Sequence, residues 1–269
     1  MYRLALFGDL HLEKVSEIPG VVEAVEQVFG DGADHVAFAG DIVDAAQTEV
    51  VASLVNRLRR LGLGPTKVSL VPGNHDTFAL SEPLTAEKLW RAAVARDSQR
   101  NYEQFCQLVA PLVAEAPGEL LLPPATFPFG KRLSRHVALV GLDTVRGGTR
   151  LPTEWATGQL DEEAADAMKE YFDQHADAVH GVVLMHHSPL DDVPPVEGIE
   201  LRFADPSPDI VRNWLAWAGV TLVLCGHSHE QRVVRCEEGF AVVEHESMSD
   251  DPPYRIVELG PRGGVNTRR

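Results

Sequence analysis

The stretch Lys67-Val68-Ser69-Leu70-Val71-Pro72-Gly73-Asn74-His75-Asp76 decides how the chain is read. A short apolar run of strand length meets a Pro-Gly turn, and an amide, an imidazole and a carboxylate follow at once. The arrangement recurs. Leu4–Phe7 runs into Gly8-Asp9-Leu10-His11, His35–Ala39 into Gly40-Asp41-Ile42-Val43-Asp44, and His136–Leu142 into Asp143-Thr144. Further on, Val182–Met185 runs into His186-His187-Ser188-Pro189, and Thr221–Cys225 into Gly226-His227-Ser228-His229. In an open α/β sheet, ligands sit beyond the carboxyl ends of the strands, which is where these clusters fall.

Helical patterns alternate with the strands, predicting an α/β layered domain. Pro19–Phe29 and Thr48–Leu61 are amphipathic and stop at glycines. Asp161–His175 has an N-cap aspartate and an acidic first turn, with Glu162, Glu163, Asp166 and Asp173 as a solvated face. Pro208–Trp217 is a further helix, on which Trp214 and Trp217 read as core. Arg232–Cys236, Phe240–His245 and Tyr254–Leu259 read as a β-meander. Residues 1–269 form one domain in this reading. Between Thr77 and Lys131 the pattern is least regular: Thr85–Ala95 and Tyr102–Ala114 look helical, and Pro117–Gly130 reads as a loop. A cap-like insertion over residues 77–131 and an ordinary surface insertion both fit.

Composition narrows the function. The chain has 269 residues, 44% hydrophobic and 24% charged, which is globular and not disordered. Forty acidic residues against 24 Lys and Arg give a net charge of −16, which opposes coating of a nucleic-acid polymer. A small phosphorylated substrate stays open, because bound cations reverse the field locally. Three cysteines, Cys106, Cys225 and Cys236, make no disulfide framework or zinc ribbon. The apolar start is too short for a signal-peptide core, and no run approaches the ~20 apolar residues of a membrane span. A cytoplasmic chain with no membrane association is expected.

Six of the 11 histidines fall in the strand-end clusters, among them His11, His75, His186, His187, His227 and His229. With Asp9, Asp41 and Asn74 they make a donor set suited to two borderline divalent ions such as Mn, Fe or Zn. Asp-x-His and His-x-His put two side chains on one side of an extended segment. A carboxylate such as Asp41 can bridge two ions ~3.5–4 Å apart, which clamp a phosphoryl group and turn a bridging water into hydroxide near neutral pH. No serine elbow, GxGxxG or Walker A loop competes with this reading.

The ordered set Asp9-x-His11, Gly40-Asp41-x-x-Asp44, Gly73-Asn74-His75-Asp76, His186-His187 and Gly226-His227-x-His229 resembles the calcineurin-like metallophosphoesterase superfamily. The resemblance implies a two-sheet β-sandwich flanked by helices in four layers, the C-terminal meander completing the second sheet. It implies that Asp9, His11 and His229 hold one metal, that Asn74, His186 and His227 hold the other, and that Asp41 bridges them. His75 would face the substrate phosphate as an acid or electrostatic catalyst, with Asp76 orienting it. At the His-His pair His186 is favoured as the ligand, leaving His187 to line the pocket or pack in a turn. Asp44 is either an acid beside the site or an N-cap. Gly141-Leu142-Asp143-Thr144 and Thr157-Gly158-Gln159-Leu160 resemble the bacterial branch that includes the class III cyclic-nucleotide phosphodiesterases. The expected activity is hydrolysis of a phosphodiester or phosphomonoester by metal-bound hydroxide, a small diester favoured. A DNA-repair-type nuclease and a non-catalytic protein-binding scaffold are the rival readings.

Overall fold

A computed structural model describes residues 1–78, 96–145, 155–195, 199–245 and 253–268. In chain order the first half contains β1 (Tyr2–Phe7), α1 (Ile18–Gly30), β2 (His35–Phe38), α2 (Thr48–Arg60), β3 (Val68–Leu70), the single turn α3 (Asn74–Thr77) and α4 (Arg96–Val113). Then come β4 (Gly118–Leu120), β5 (Phe129–Ser134), β6 (Val137–Gly141), β7 (Gly158–Gln159), α5 (Glu162–Gln174) and β8 (His180–Leu184). The last part holds β9 (Phe203–Asp205), α6 (Pro208–Trp217), β10 (Leu222–Cys225), β11 (Arg232–Arg235), β12 (Ala241–Glu244), β13 (Arg255–Leu259) and β14 (Val265–Arg268).

Two sheets stack, in the strand orders β14-β13-β1-β2-β3 and β11-β12-β10-β8-β6-β5-β4. The centre of each is parallel, β1-β2-β3 in one and β6-β8-β10-β12 in the other, with antiparallel strands outside. Strands buried on both faces read as continuous apolar runs, as here. In the second sheet Leu139, Val182, Leu184, Leu222, Leu224 and Val243 face the first sheet. Their alternates Ala138, Val140, Val183, Val223 and Val242 face a separate cluster built with Met168 and Tyr171 of α5 and Val211 and Leu215 of α6. On the far side α1, α2 and α4 cover the first sheet through Val25, Val28, Leu54, Leu58 and Val109. The period of two along each strand thus produces four layers, helix, sheet, sheet, helix.

The expected meander is divided between the sheets. β11 pairs antiparallel with β12 in the second, whereas β13 crosses to the first and pairs antiparallel with β1. The reason is burial. β11 alternates half-buried and exposed positions and so suits a sheet edge, while four of the five residues of β13 are buried and need neighbours on both sides. Within the irregular stretch, α4 and the β4–β5 hairpin are ordered, and Phe105, Val109, Leu112 and Phe129 enter the core. The helix expected over Thr85–Ala95 lies outside the described residues. Trp214 is half-buried against the outer cluster, but Trp217 is 53% exposed, its ring 5.5 Å from Lys169 Nζ; it does not belong to the core.

Lys131 on β5 is wholly buried. Its Nζ donates to the Val68 carbonyl on β3 at 2.7 Å and to the Leu112 carbonyl in the last turn of α4 at 2.5 Å. It therefore ties the two sheets and a helix end together, and a cation is favoured at a helix C-terminus. Burial still lowers its pKa from 10.5 to about 7. Between those values the unfolded chain binds the extra proton, so stability rises with pH by about 1.4 kcal/mol per unit. Urea unfolding at pH 7, 8 and 9 should show wild type gaining on Lys131→Met at about that slope. A pH-independent difference would mean that Lys131 stays charged in the core.

Candidate metal centre

The two loops that leave β1 and β2 run side by side. Asp9 N donates to Gly40 O, His11 N to Asp41 O and Leu12 N to Ile42 O, extending the parallel pairing past the strands. These loops then turn sharply. Six non-glycine residues among those described have left-handed φ, and five of them are the expected ligands Asp9, His11, Asp41, His227 and His229. Asp and His tolerate this region better than most residues, yet each costs on the order of 1 kcal/mol. Strain of that kind collects where side chains must be aimed.

Aiming also needs close backbone approach. Gly40 has φ +91°, and a Cβ there would lie 2.7 Å from His186 Nδ1. At Gly73 a Cβ would lie 2.1 Å from Asp41 Oδ1 and 2.2 Å from its backbone nitrogen. Gly73→Ala must therefore displace the Asp41 carboxylate. We expect metal affinity to fall about 10–100-fold, the usual effect of disturbing a ligand's support, as read by chelator competition. Unchanged affinity would show that the loop yields without moving Asp41.

The expected donors converge. Nε2 of His186 lies 2.9 Å from Asn74 Oδ1 and 3.3 Å from Asp41 Oδ2, while its Nδ1 is 2.7 Å from the Ala39 carbonyl and 3.9 Å from Asp9 Oδ1. Three tight groups of potential donors form: His186 with His187 and His227, His11 with Asp41 and His75, and Asp9 with Asp41 and His186. Asp9, Asp41, Asn74, His186 and His187 are all buried. His229 is exposed, its ring centroid 5.7 Å from that of His11.

Each inner imidazole has one nitrogen anchored on a carbonyl. His186 uses Nδ1 on Ala39 O, and His227 uses Nε2 on Ala156 O at 2.8 Å. This is how metal-binding histidines are held, one N–H spent on the support and the other nitrogen turned inward. Burial and the neighbouring His186 hold the His227 imidazole well below its usual pKa, and burial lowers that of His11 as well. Both are then neutral, the form that binds a metal. Burial works against the charges of His186 and Asp41, but each overcomes it through the other: His186 is raised to about 9 and Asp41 is held well below the carboxylate range. A proton on His186 Nε2 sits among Asn74 Oδ1 and Asp41 Oδ2, where a divalent ion would replace it. The donor set therefore fits a two-ion centre, and His11 Nε2 is a further buried nitrogen with no hydrogen-bond partner.

The ring of His75 is positioned differently from expectation. Asp76 does not reach it: its oxygens accept from Val43 N at 3.1 Å and Gly73 N at 2.8 Å, fixing the loop. Burial and the Asp41 charge push Asp76 up to about 8. His75 Nδ1 is instead 2.7 Å from the Asp44 carbonyl and 3.6 Å from Asp44 Oδ1. Asp44 is not the cap of α2, where Gln47 takes that position. His75 N donates to Asp41 Oδ1 at 2.8 Å. His187 Nδ1 lies 2.8 Å from Thr144 Oγ1. Trp155 and the Ala156 carbonyl carry no periodic or motif signal as site residues, and only the fold brings them here.

Fold and donor set together define the class: over residues 2–231 the chain belongs to the calcineurin-like phosphoesterase family, and so to the metal-dependent phosphoric ester hydrolases. No curated protein matches the chain. Among solved structures, a dimetal phosphatase from Danio rerio is 13% identical with a TM-score of 0.58, covering 99% of this chain and 98% of that one. A 5'-nucleotidase precursor from Thermus thermophilus is 15% identical at a TM-score of 0.54; this chain spans 53% of its length and is itself 99% covered. GAP50, the anchor in the inner membrane complex of Plasmodium, is 12% identical at 0.53, with 99% of this chain and 83% of that one covered. At these identities the likeness establishes the fold. Among the described residues no helix is long and apolar enough to cross a membrane.

Proposed function

We propose that this chain hydrolyses a small phosphodiester, with a cyclic nucleotide as the first candidate and a phosphomonoester as the second, at two divalent ions drawn from Mn, Fe and Zn. The observation that carries the reading is the approach of Asn74 Oδ1 and Asp41 Oδ2 to His186 Nε2, at 2.9 and 3.3 Å, beside buried Asp9. Asp9, His11 and His229 would hold one ion, Asn74, His186 and His227 the other, and Asp41 both. When bound, such a pair polarises the phosphoryl oxygens and supplies a nucleophile from water near neutral pH.

The chain's own residues do the rest. Asp41 and Asp9 place negative charge where the ions sit, and the Ala39 and Ala156 carbonyls fix the tautomers of His186 and His227. His75 spends Nδ1–H on the Asp44 carbonyl, so Nε2 is the nitrogen left to meet the leaving oxygen. The Asp44 carboxylate, 3.6 Å away, offers a counter-charge to the protonated ring that would donate there. His187, tied to Thr144, lines the pocket. The three cysteines are free, as suits a reduced cytoplasmic setting.

A net charge of −16 favours a small substrate over a polymer. The complete donor set favours an enzyme over a scaffold, although the fold itself also serves GAP50. The test is a Mn²⁺-supplemented comparison of bis(p-nitrophenyl) phosphate, p-nitrophenyl phosphate, cyclic nucleotides and single-stranded DNA. Preference for the diester and a cyclic nucleotide, with little salt dependence, is the expected result. Steep salt dependence on DNA would favour the nuclease, and no turnover of any ester the scaffold.

A further inference from the structure

One short segment reaches three of the site's imidazoles. The rings of Trp155 and His75 meet in a T-shaped pair, centroids 5.4 Å apart. The next residue, Ala156, supplies the carbonyl that accepts from His227 Nε2. Two residues on, Gly158 lies so close to His187 that a Cβ would stand 2.9 Å from His187 Cβ. The segment is itself fixed: Gly158 N donates to Arg202 O and Leu160 N to Asp205 O along the small β7–β9 ribbon, and Gln159 N donates to Thr144 O. Trp155 is 8% exposed and also meets Phe78, centroids 6.4 Å apart.

His75 needs such a support. Its ring has one hydrogen-bonded nitrogen, at the Asp44 carbonyl, and one edge contact with His11, centroids 4.7 Å apart. The Cβ–Cγ torsion of a histidine is broad, so one hydrogen bond at Nδ1 leaves the aim of Nε2 to be set by what packs around the ring. The indole of Trp155 is a further contact on that ring. We propose that Trp155 is a positioning residue for the reaction, acting through His75, and that Trp155–Gly158 is a strap setting the histidine side of the centre. The inference rests on the hydrolase reading above, with His75 facing the leaving group.

The test is a double-mutant cycle in the metal-loaded protein. Trp155→Leu keeps an apolar side chain but removes the aromatic ring; Trp155→Phe keeps a ring. Trp155→Leu should lower kcat about 10–100-fold with KM nearly unchanged, since a misplacement of about 1 Å costs that much. The loss should be larger for an alkyl than for a p-nitrophenyl leaving group, which needs little proton donation. Trp155→Phe should restore most of the rate. In a His75→Ala background Trp155→Leu should do nothing further, because a residue acting through His75 has nothing left to act on. Apart from turnover, the zinc-loaded wild type should show His75 ring protons shifted by the indole ring current, and Trp155→Leu should abolish that shift with metal content unchanged.

Additive losses in the cycle, or a rate loss that follows loss of metal, would overturn the positioning role. Should Trp155→Leu not fold, Trp155→Phe carries the test through the ring-proton shift, and an unshifted His75 in wild type overturns it. A wild type inactive on every ester would sink the hydrolase reading first; an active wild type with an inert Trp155 overturns only the strap.

Discussion

Asp41→Asn should lower turnover about 10³-fold, the upper end of what loss of a single preorganised electrostatic group costs. The substitution keeps shape and volume, so the fold should stand. What changes is charge at the point where both ions would meet. Asp41 receives His75 N–H on one oxygen and sits 3.3 Å from His186 Nε2 with the other. Metal analysis should therefore show the retained metal fall below the wild-type ratio as turnover falls. The metal-free protein carries a second signature. His186, raised to about 9 through Asp41, contributes stability that is whole below pH 6.5 and is lost as pH rises through 9. Relative to metal-free wild type, metal-free Asp41→Asn should therefore gain thermal stability as pH rises from 6.5 to 9, the contribution of Lys131 being common to both. Full turnover with full metal content would refute the bridging role.

His75→Ala should behave in the opposite way with respect to metal. The side chain lies outside the proposed ligand set, so both ions should stay while kcat falls about 10²–10⁴-fold, the range for loss of a general acid. The loss should grow with the basicity of the leaving group, so p-nitrophenyl esters will understate it. Metal lost from the His75 variant would mean that a ligand has been mistaken for the acid. That outcome is a real alternative, because His75 stands in one donor group with His11 and Asp41.

The donors were legible in the sequence because parallel strands deliver their carboxyl ends to one edge. Leu4–Phe7, His35–Phe38 and Val68–Leu70 each end in a cluster, and pairing in register puts those clusters side by side. The orientation of His75 was not legible. Asp76 is its neighbour in sequence, but adjacent residues of a helical turn point about 100° apart. Asp76 therefore turns towards Val43 and Gly73, and Asp44 arrives from the loop that follows β2. Trp155 was hidden for a related reason: its contact with His75 joins segments 80 residues apart that share no periodicity. The path of β13 was equally invisible, since an apolar strand reads the same whichever sheet takes it, and only the half-polar edge at β11 shows that the second sheet was already closed.

The central claim is that these residues hold two ions. The most direct measurement is the metal-to-protein ratio after Mn²⁺ loading and exhaustive dialysis, determined by elemental analysis alongside turnover of bis(p-nitrophenyl) phosphate. About two ions per chain are expected, with turnover that is lost when they are removed and returns when they are restored. A chain that retains no metal, or that turns over the diester equally well without it, would contradict a two-ion centre.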